Sequence, residues 1–473
     1  MSGIGTPENP LRVAIVGSGP SGFYAAGHLL KSKSHPDLAV QVDVYDRLPT
    51  PWGLVRGGVA PDHPNIKAVS RVYEKTAAHP EFRFYGNVEL GRDLRHEELV
   101  GRYHARIYAV GAQTDRRMGI PGEDLPGSWA ATEFVAWYNG HPDYRDLEFD
   151  LSAERAVVVG NGNVAADVAR MLALTREELA QTDVADHALE VMAESKVREI
   201  VVLGRRGPAQ AAFTNPELLE LGDMTDADVI VDPGDAELDP LSQAFIESEA
   251  AHATAKKNVT ILSEYSTRIP QGKQRRIVLR FLASPVEILG SDRVEGIRIV
   301  RNELVEDESG ALRPRPTGIT EELECGLVFR SIGYRGTALE GLPFDERHAV
   351  IPNDGGRVLQ GDDPLPGEYV VGWIKRGPTG IIGTNKRDAQ QTVDMLLEDL
   401  DAGRLPTPAD PDRDALDALI AERRPDAVSY AGWEAIDRAE KAAGEPHGRP
   451  RVKLCSFDEL VEAASQTEPV GGR

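Results

Sequence analysis

Residues 13–22, VAIVGSGPSG, and residues 157–165, VVVGNGNVA, decide how this chain folds. Each is a short apolar run, then a glycine-rich turn, then the start of a helical pattern. That is the order of strand, phosphate loop and helix in a dinucleotide-binding βαβ unit. In the first loop Gly17 permits the tight turn, Gly19 lets backbone approach a pyrophosphate, and Gly22 lets helix pack on strand. In the second, Gly160, Gly162 and Ala165 take those places, the GxGxxA variant with slightly looser packing. Each helix N-terminus aims free N–H groups and a partial positive charge at the phosphates. Two such units about 140 residues apart imply two dinucleotides on one polypeptide, and electrons passing between them.

Working outward, 11–16 (LRVAIV) reads as a buried strand, 21–30 as its helix, and 40–45 (VQVDVY) as the next strand. Asp46 ends that strand, 24 residues after Gly22. An acid there accepts hydrogen bonds from ribose hydroxyls and repels a 2′-phosphate, so the first loop prefers FAD or NAD over NADP. Residues 106–111 read as a further strand, and 118–128 (MGIPGEDLPGS) as a crossover. The second unit runs from 156–159 through a helix at 164–174 to a strand at 199–203 (EIVVL), with 175–196 an acidic helical insertion. GRRGP follows where an acid would stand. Arg205 and Arg206 can fork onto a 2′-phosphate, so this loop points to NADP(H), the alternative being a solvated basic turn.

Short alternating runs in 259–330, such as 277–282 and 296–300, predict an antiparallel extension, and 327–333 (LVFRSIG) returns to a glycine break. Residues 368–373 (EYVVGW) read as a strand, 388–400 as a helix and 412–424 as another. The expected architecture is α/β: two doubly wound, Rossmann-like dinucleotide-binding domains, the NADP domain inserted in the FAD domain. The expected boundaries are 1–113 and 335–473 for the two parts of the FAD domain, the second carrying the tail, and 114–334 for the NADP domain.

Composition narrows the class. At 473 residues, 41% hydrophobic and 27% charged, the chain can bury two or three cores. A formal charge of −23 argues against nucleic acid as a partner. Cys325 and Cys455 are the only cysteines and form no CxxC, which excludes a cysteine metal site or vicinal redox disulfide and fits a reducing cytoplasm. MSGIGTPENP carries no secretory or organellar address. Residues 13–30 carry no Asp, Glu, Lys or Arg, but Pro20 and four glycines interrupt them, so no membrane association is expected.

The chain resembles the adrenodoxin reductase-like ferredoxin–NADP⁺ reductases, mitochondrial and actinobacterial, the latter branch more closely. The resemblance runs from about Leu11 to Leu454. Beyond the loops it rests on PWGLVRGGVAPDHP (51–64), GNGNVAADVARML (160–172), GRRGP (204–208), GWIKRGPTGIIGTNK (372–386) and the tail GEPHGRPRVKL (444–454). It implies that Ser21, Asp46, Leu54 and Val88 line FAD. Trp373 and Gly380, Ile381 and Ile382 would meet the flavin ring and its chain, with Gly380 also near the nicotinamide. Asn161, Gly162, Asn163, Val164, Arg205, Arg206 and Glu217 would hold NADPH. His63, Asp167 and Glu217 resemble a polar cluster that assists proton movement near the flavin. Without the resemblance, Trp373 reads as a core tryptophan, His63 as a surface histidine and Glu217 as a first-turn helix acid. One departure is Asp46, where the family also carries Glu, one methylene longer.

The implied activity is hydride transfer from NADPH to flavin N5, then single electrons to a ferredoxin or adrenodoxin-like iron–sulfur protein, a route that can feed cytochrome P450-type oxygenases. An acidic ferredoxin needs a basic face. The stretch 256–280, with seven Lys or Arg and one acid, is a candidate for it, a solvated strand face being the alternative. The competing readings are a flavin monooxygenase or oxidase, an electron-transfer subunit of a larger complex, and a non-catalytic NADP-binding module. The sequence does not fix the oligomeric state, and the tail after Ser456 has no reading.

Overall fold

The computed structural model describes residues 3–466; Met1, Ser2 and the last seven residues of the stretch read as 335–473 lie outside it. The chain divides into two compact units. One comprises the residues up to Val59, His63–Thr114 and those from Gly333 onward; the other comprises Ala60–Asp62 and Asp115–Ile332.

The first unit is built on a seven-stranded sheet. Its centre is Leu11–Val16, buried at every position and paired in parallel with Val40–Tyr45 on one side and Ala105–Tyr108 on the other. Continuous burial of a six-residue apolar run is what a central parallel strand requires. Alternate residues feed two cores. Leu11, Val13 and Ile15 join Phe23, Tyr73 and Leu396 on one face. Ala14 and Val16 join Tyr45, Tyr108 and Ile374 on the other. Phe82–Tyr85 extends the sheet beyond Val40–Tyr45. Beyond Ala105–Tyr108 the chain's later part takes over: Asp363–Val370 pairs with it in parallel, then Arg357–Gln360 and Asn353–Asp354 add antiparallel strands.

The second unit carries a six-stranded, all-parallel sheet in the order Ser128–Ala130, Leu327–Arg330, Arg155–Val159, Glu199–Leu203, Arg275–Arg280, Ala227–Val231. A separate antiparallel sheet joins Ala283–Leu289, Gly296–Glu306 and Leu312–Glu324. Both large sheets are doubly wound, as the glycine spacing implies.

Several expectations need correction. The run 277–282 is not part of an antiparallel extension. Arg275–Arg280 is an inner parallel strand, and only the run at 296–300 lies in the antiparallel sheet. Residues 259–267 belong to the helix Ala253–Thr267, because Ile261, Leu262 and Tyr265 recur at helical spacing on its buried side. Trp373 lies in the short helix Trp373–Arg376, not in a strand: Asp363–Val370 ends first, and Gly372 turns the chain at φ +77°. The long helix begins at Ile382, six residues before the reading, its early Gly and Thr masking the helical pattern. The tail folds too. Ser456 accepts a hydrogen bond from Glu459 N–H and caps Phe457–Ser465, a Ser-x-x-Glu signature the reading passed over. Among the described residues no helix is long and apolar enough to cross a membrane.

The register that docks Asp363–Val370 places Glu368 opposite Arg106. The Glu368 carboxylate accepts from Arg106 (2.6 Å), Tyr108 (2.8 Å) and His96 (3.1 Å). Burial works to raise its pKa, but the His96 and Arg106 contacts prevail and hold it below the ordinary value. A depressed carboxyl pKa contributes stability above the unfolded value and loses it as pH falls through the folded one. Glu368→Ala is therefore expected to cost about 3–5 kcal/mol at neutral pH, because it leaves Arg106 buried and unpaired. The urea midpoint measures this, and the gap from the parent should narrow below about pH 4; a gap independent of pH would contradict it.

Candidate functional site

In the first unit the glycine turn is held by carbonyls standing where side chains would be. A Cβ on Gly17 would lie 2.5 Å from Ala109 O, and one on Gly22 2.1 Å from Gly17 O. Gly19 precedes the helix Pro20–Leu30 with no side-chain cap, so its first-turn amides remain for a ligand. A second glycine, Gly53, comes so near that its Cβ would sit 2.9 Å from Gly19 Cα. Trp52, at φ +85°, donates its N–H to Ser18 O (2.9 Å) and brings Leu54, 39% exposed, to the rim. Across the helix start, Gly372 lies where a Cβ would meet Ser21 Oγ at 2.3 Å, and its N–H donates to Asp388 (2.6 Å).

Asp46 reaches back to the loop. Its carboxylate accepts from Ser18 N (2.9 Å), Ser18 Oγ (2.5 Å) and Leu48 N (3.0 Å). Burial raises its pKa, opposed by those hydrogen bonds. A carboxylate offers about four lone-pair sites, so acceptor capacity remains for a ribose. Val88, buried, donates its N–H to Asp46 O (2.9 Å) and so belongs to the same corner. Trp373 packs on Tyr334 with ring centroids 5.1 Å apart, and its buried Nε1 finds no acceptor among the described residues. Gly380 and Ile381, both exposed, precede the helix that Ile382 begins. Glycine backbone beside a helix N-terminus, an acid at the second strand's end and an indole N–H without an acceptor fit an adenine dinucleotide carrying a flat ring system.

The 51–58 segment has an anchor the sequence reading missed. Arg56 donates two bonds to Glu440 (2.8 and 2.5 Å), a carboxylate with no exposed surface that also accepts from Arg451 (2.9 Å) and Leu454 N (2.9 Å). Trp52 packs edge-on against Trp433 at 4.8 Å, and Arg56 lies over the same ring.

The second unit repeats the loop with a different polar outcome. A Cβ on Gly160, at φ +127°, would lie 2.1 Å from Ser331 O. Gly162 caps the helix Asn163–Ala173, whose first turn includes Val164. Asn161 O accepts from Ala212 N (3.0 Å), and Asn163 pairs with Thr214 through Thr214 N (2.8 Å) and its hydroxyl (3.3 Å). These bonds fasten 212–214 to the loop and set Glu217 in the first turn of Asn215–Gly222. Arg205 is exposed and Arg206 half-buried. Among the described residues no carboxylate pairs with either. Burial first, then the like charges of Arg205 and Arg313, hold the Arg206 guanidinium below its ordinary pKa. Arg313 is itself paired with Asp307 (2.7 Å), but two adjacent guanidinium groups with no carboxylate partner among the described residues fit a phosphate.

Asp167 and Glu217 are brought together by Arg170, which the reading quoted without singling out. Its guanidinium donates to Asp167 (2.7 Å), Glu217 (3.4 Å) and, through two bonds, Asp62 (2.7 and 3.1 Å), with Glu220 at 3.7 Å. Burial opposes its charge, but Asp62 and Asp167 raise its pKa. His63, buried, starts the short helix Pro64–Lys67 in the first unit. Within the basic stretch 256–280, Arg276 pairs with Glu199, Arg280 with Asp235 and Glu321, Arg275 with Asp226, and Lys273 donates to Met224 O, whereas Lys256, Lys257 and Arg268 on or beside the helix Ala253–Thr267 are exposed. Strand pairing draws the three strand arginines onto local acids and leaves the helix cations to solvent. Arg170→Ala is expected to cost about 3 kcal/mol by stranding the buried Glu217 and the half-buried Asp62 and Asp167, and Arg170→Lys to recover only part, since an ammonium lacks the fork. Denaturant midpoints check both; full recovery by Lys would show that charge alone suffices.

Residues 11–203 match the pyridine nucleotide-disulphide oxidoreductase family. The chain is 53% identical over 457 residues to NADPH-ferredoxin reductase FprA of Mycobacterium leprae, covering 96% of this chain and 98% of the relative. It is 42% identical to the mitochondrial NADPH:adrenodoxin oxidoreductase of Salvelinus fontinalis, covering 97% and 92%. The solved structure of Mycobacterium tuberculosis FprA in complex with NADPH superposes with a TM-score of 0.91 at 52% identity, covering 97% of this chain and all of that one. This chain, with its two glycine loops and opposite polar partners, belongs to the adrenodoxin reductase-like ferredoxin–NADP reductase family.

Proposed function

We propose that this protein oxidises NADPH and passes the electrons through FAD to a ferredoxin or adrenodoxin-like iron–sulfur protein. The observation that carries the reading is the contrast after the two loops: Asp46 engages the first, whereas Arg205 and Arg206 stand without acids after the second. The first disfavours a 2′-phosphate and the second attracts one. FAD, when bound, supplies the step from a two-electron hydride donor to single-electron transfer.

The chain's own residues bind and orient. Gly17, Gly19, Ser21 and Gly22 would present the helix amides to the FAD pyrophosphate, with Asp46 and Val88 at the ribose corner. Leu54, Trp373, Gly380, Ile381 and Ile382 would border the ring and its chain. Asn161, Gly162, Asn163 and Val164 would hold the NADPH pyrophosphate, Arg205 and Arg206 its 2′-phosphate, and Glu217 the coenzyme's remaining polar edge. His63, Asp167 and Glu217 would manage protons, the His63 ring nitrogens carrying one and the carboxylates accepting. The residues from 1–113 and 335–473 would form the FAD domain and 114–334 the NADP domain. The buried free thiols Cys325 and Cys455 support a reducing cytoplasmic setting.

The test is anaerobic addition of NADPH to the purified protein: a yellow chromophore should bleach, NADH should act far more weakly, and ferredoxin should stimulate cytochrome c reduction. Absence of a flavin after reconstitution would end the reading, and rapid oxygen consumption with hydroxylated product would favour a monooxygenase instead. Gly22→Ala, which drives a Cβ into Gly17 O, should purify without flavin; Gly160→Ala should keep flavin yet lose NADP⁺ binding, both read by absorbance and calorimetry. His63→Ala should slow turnover at unchanged FAD content. Unchanged steady-state and single-turnover rates would remove His63 from the proton role.

A further inference from the structure

The antiparallel sheet Ala283–Leu289, Gly296–Glu306 and Leu312–Glu324 lies outside the strand–loop–helix unit of the coenzyme site described above, yet it grips the basic turn from behind. All three carbonyls of Gly204, Arg205 and Arg206 accept hydrogen bonds from it or its lead-in. Ala283 N donates to Gly204 O (3.0 Å), Leu282 N to Arg206 O (3.1 Å), and the side-chain Nδ2 of Asn302 to Arg205 O (2.8 Å). Asn302 is 3% exposed and sits beside a break in register between Val300 and Asn302. Its own N–H donates to Leu282 O (2.7 Å), and its Nδ2 also to Ser284 Oγ (2.8 Å). One side chain and its amide thus tie Arg205, Leu282 and Ser284 together.

Leu282 is held at φ +52°, a conformation that non-glycine residues rarely adopt and that persists only where the surroundings enforce it. The enforcement is on both sides: its N–H is bound to the basic turn and its carbonyl to Asn302. Arg280, two residues earlier, is fixed by Asp235 at 3.1 Å. The same sheet delivers Arg313, on the strand paired with Gly296–Glu306 at Val305, into the field of Arg206. The adjacent sheet therefore fixes the backbone from which two guanidinium groups project that have no carboxylate partner among the described residues, and it places the Asp307-paired Arg313 nearby.

We propose that this three-stranded sheet is the coenzyme-selectivity element, and that Asn302 is the positioning residue through which it presents Arg205 and Arg206 to a 2′-phosphate. The inference rests on the second unit holding NADPH. Bidentate recognition by guanidinium depends on orientation, so freeing the turn should weaken binding of the phosphorylated coenzyme and leave the rest of the nucleotide alone.

The test is calorimetric binding of NADP⁺ and of NAD⁺ to the FAD-loaded full chain, with thermal stability recorded in parallel. Asn302→Ala should weaken NADP⁺ about tenfold, the scale of one lost buried hydrogen bond, and NAD⁺ by less than about twofold. Leu282→Val, a β-branched residue at positive φ, should shift the ratio in the same sense, whereas Leu282→Gly, at ease there, should preserve it; this pair decides the matter if Asn302→Ala fails to fold. Equal losses for both coenzymes, or none, would overturn the proposal. Arg206→Ala separates the two levels of reading. If it abolishes the NADP⁺ preference while the Asn302 and Leu282 variants keep it, only the sheet's role is refuted. If it too leaves the preference intact, the coenzyme assignment is wrong and the proposal falls with it.

Discussion

Each nucleotide loop exists because a backbone carbonyl occupies the space a side chain would take, and in both units that carbonyl comes from the same topological place. Gly17 is pressed against Ala109, the residue that follows Ala105–Tyr108; Gly160 is pressed against Ser331, which follows Leu327–Arg330. In each sheet that strand is the parallel neighbour of the loop's own strand. The turn is therefore closed by a long-range contact, not by local propensity alone. A Cβ at 2.1 to 2.5 Å from a carbonyl cannot be relieved by rotating a side chain, so glycine is required by geometry.

On that shared frame, one position differs in charge between the two units. After Val40–Tyr45 stands Asp46, drawn into the loop by Ser18 and unwelcoming to a further negative charge. After Glu199–Leu203 stand Arg205 and Arg206, which among the described residues pair with no carboxylate. The same strand end carries opposite charge in the two units, and this division is what a chain needs to take electrons from a phosphorylated nicotinamide and hand them to a flavin.

Much of this was legible in the chain itself. Glycine spacing, apolar runs and the residue after each second strand are local signals, and they place both loops, both central strands and the polar contrast. What was not legible depends on register and on distant partners. Nothing local distinguishes 275–280 from the alternating run of an antiparallel strand; only its neighbours on both sides make it an inner parallel one. The same pairing explains why three of the seven cations in 256–280 are met by acids, since Glu199, Asp235 and Asp226 arrive from elsewhere in the chain. Arg170 and Asn302 stood in plain view, but their meaning lies in partners 47 to 108 residues away.

The tail makes the same point for the first unit. The sequence after Asp401 is charged and proline-rich, and nothing local in it names a buried carboxylate. Yet Glu440 is wholly buried, with two arginines and a backbone amide on its oxygens, and one of those arginines, Arg56, comes from the segment that brings Gly53 against Gly19. A buried carboxylate is tolerated only when paired and hydrogen-bonded, and the pairing is directional. The bond therefore constrains both ends: it holds the helix Tyr430–Gly444 in place and fixes the 52–57 turn at its strained Trp52. Through Arg56–Glu440 and Trp52–Trp433, the turn that brings Gly53 against Gly19 depends on residues nearly four hundred positions later, so the tail supports the first unit's glycine turn as directly as the neighbouring strands do.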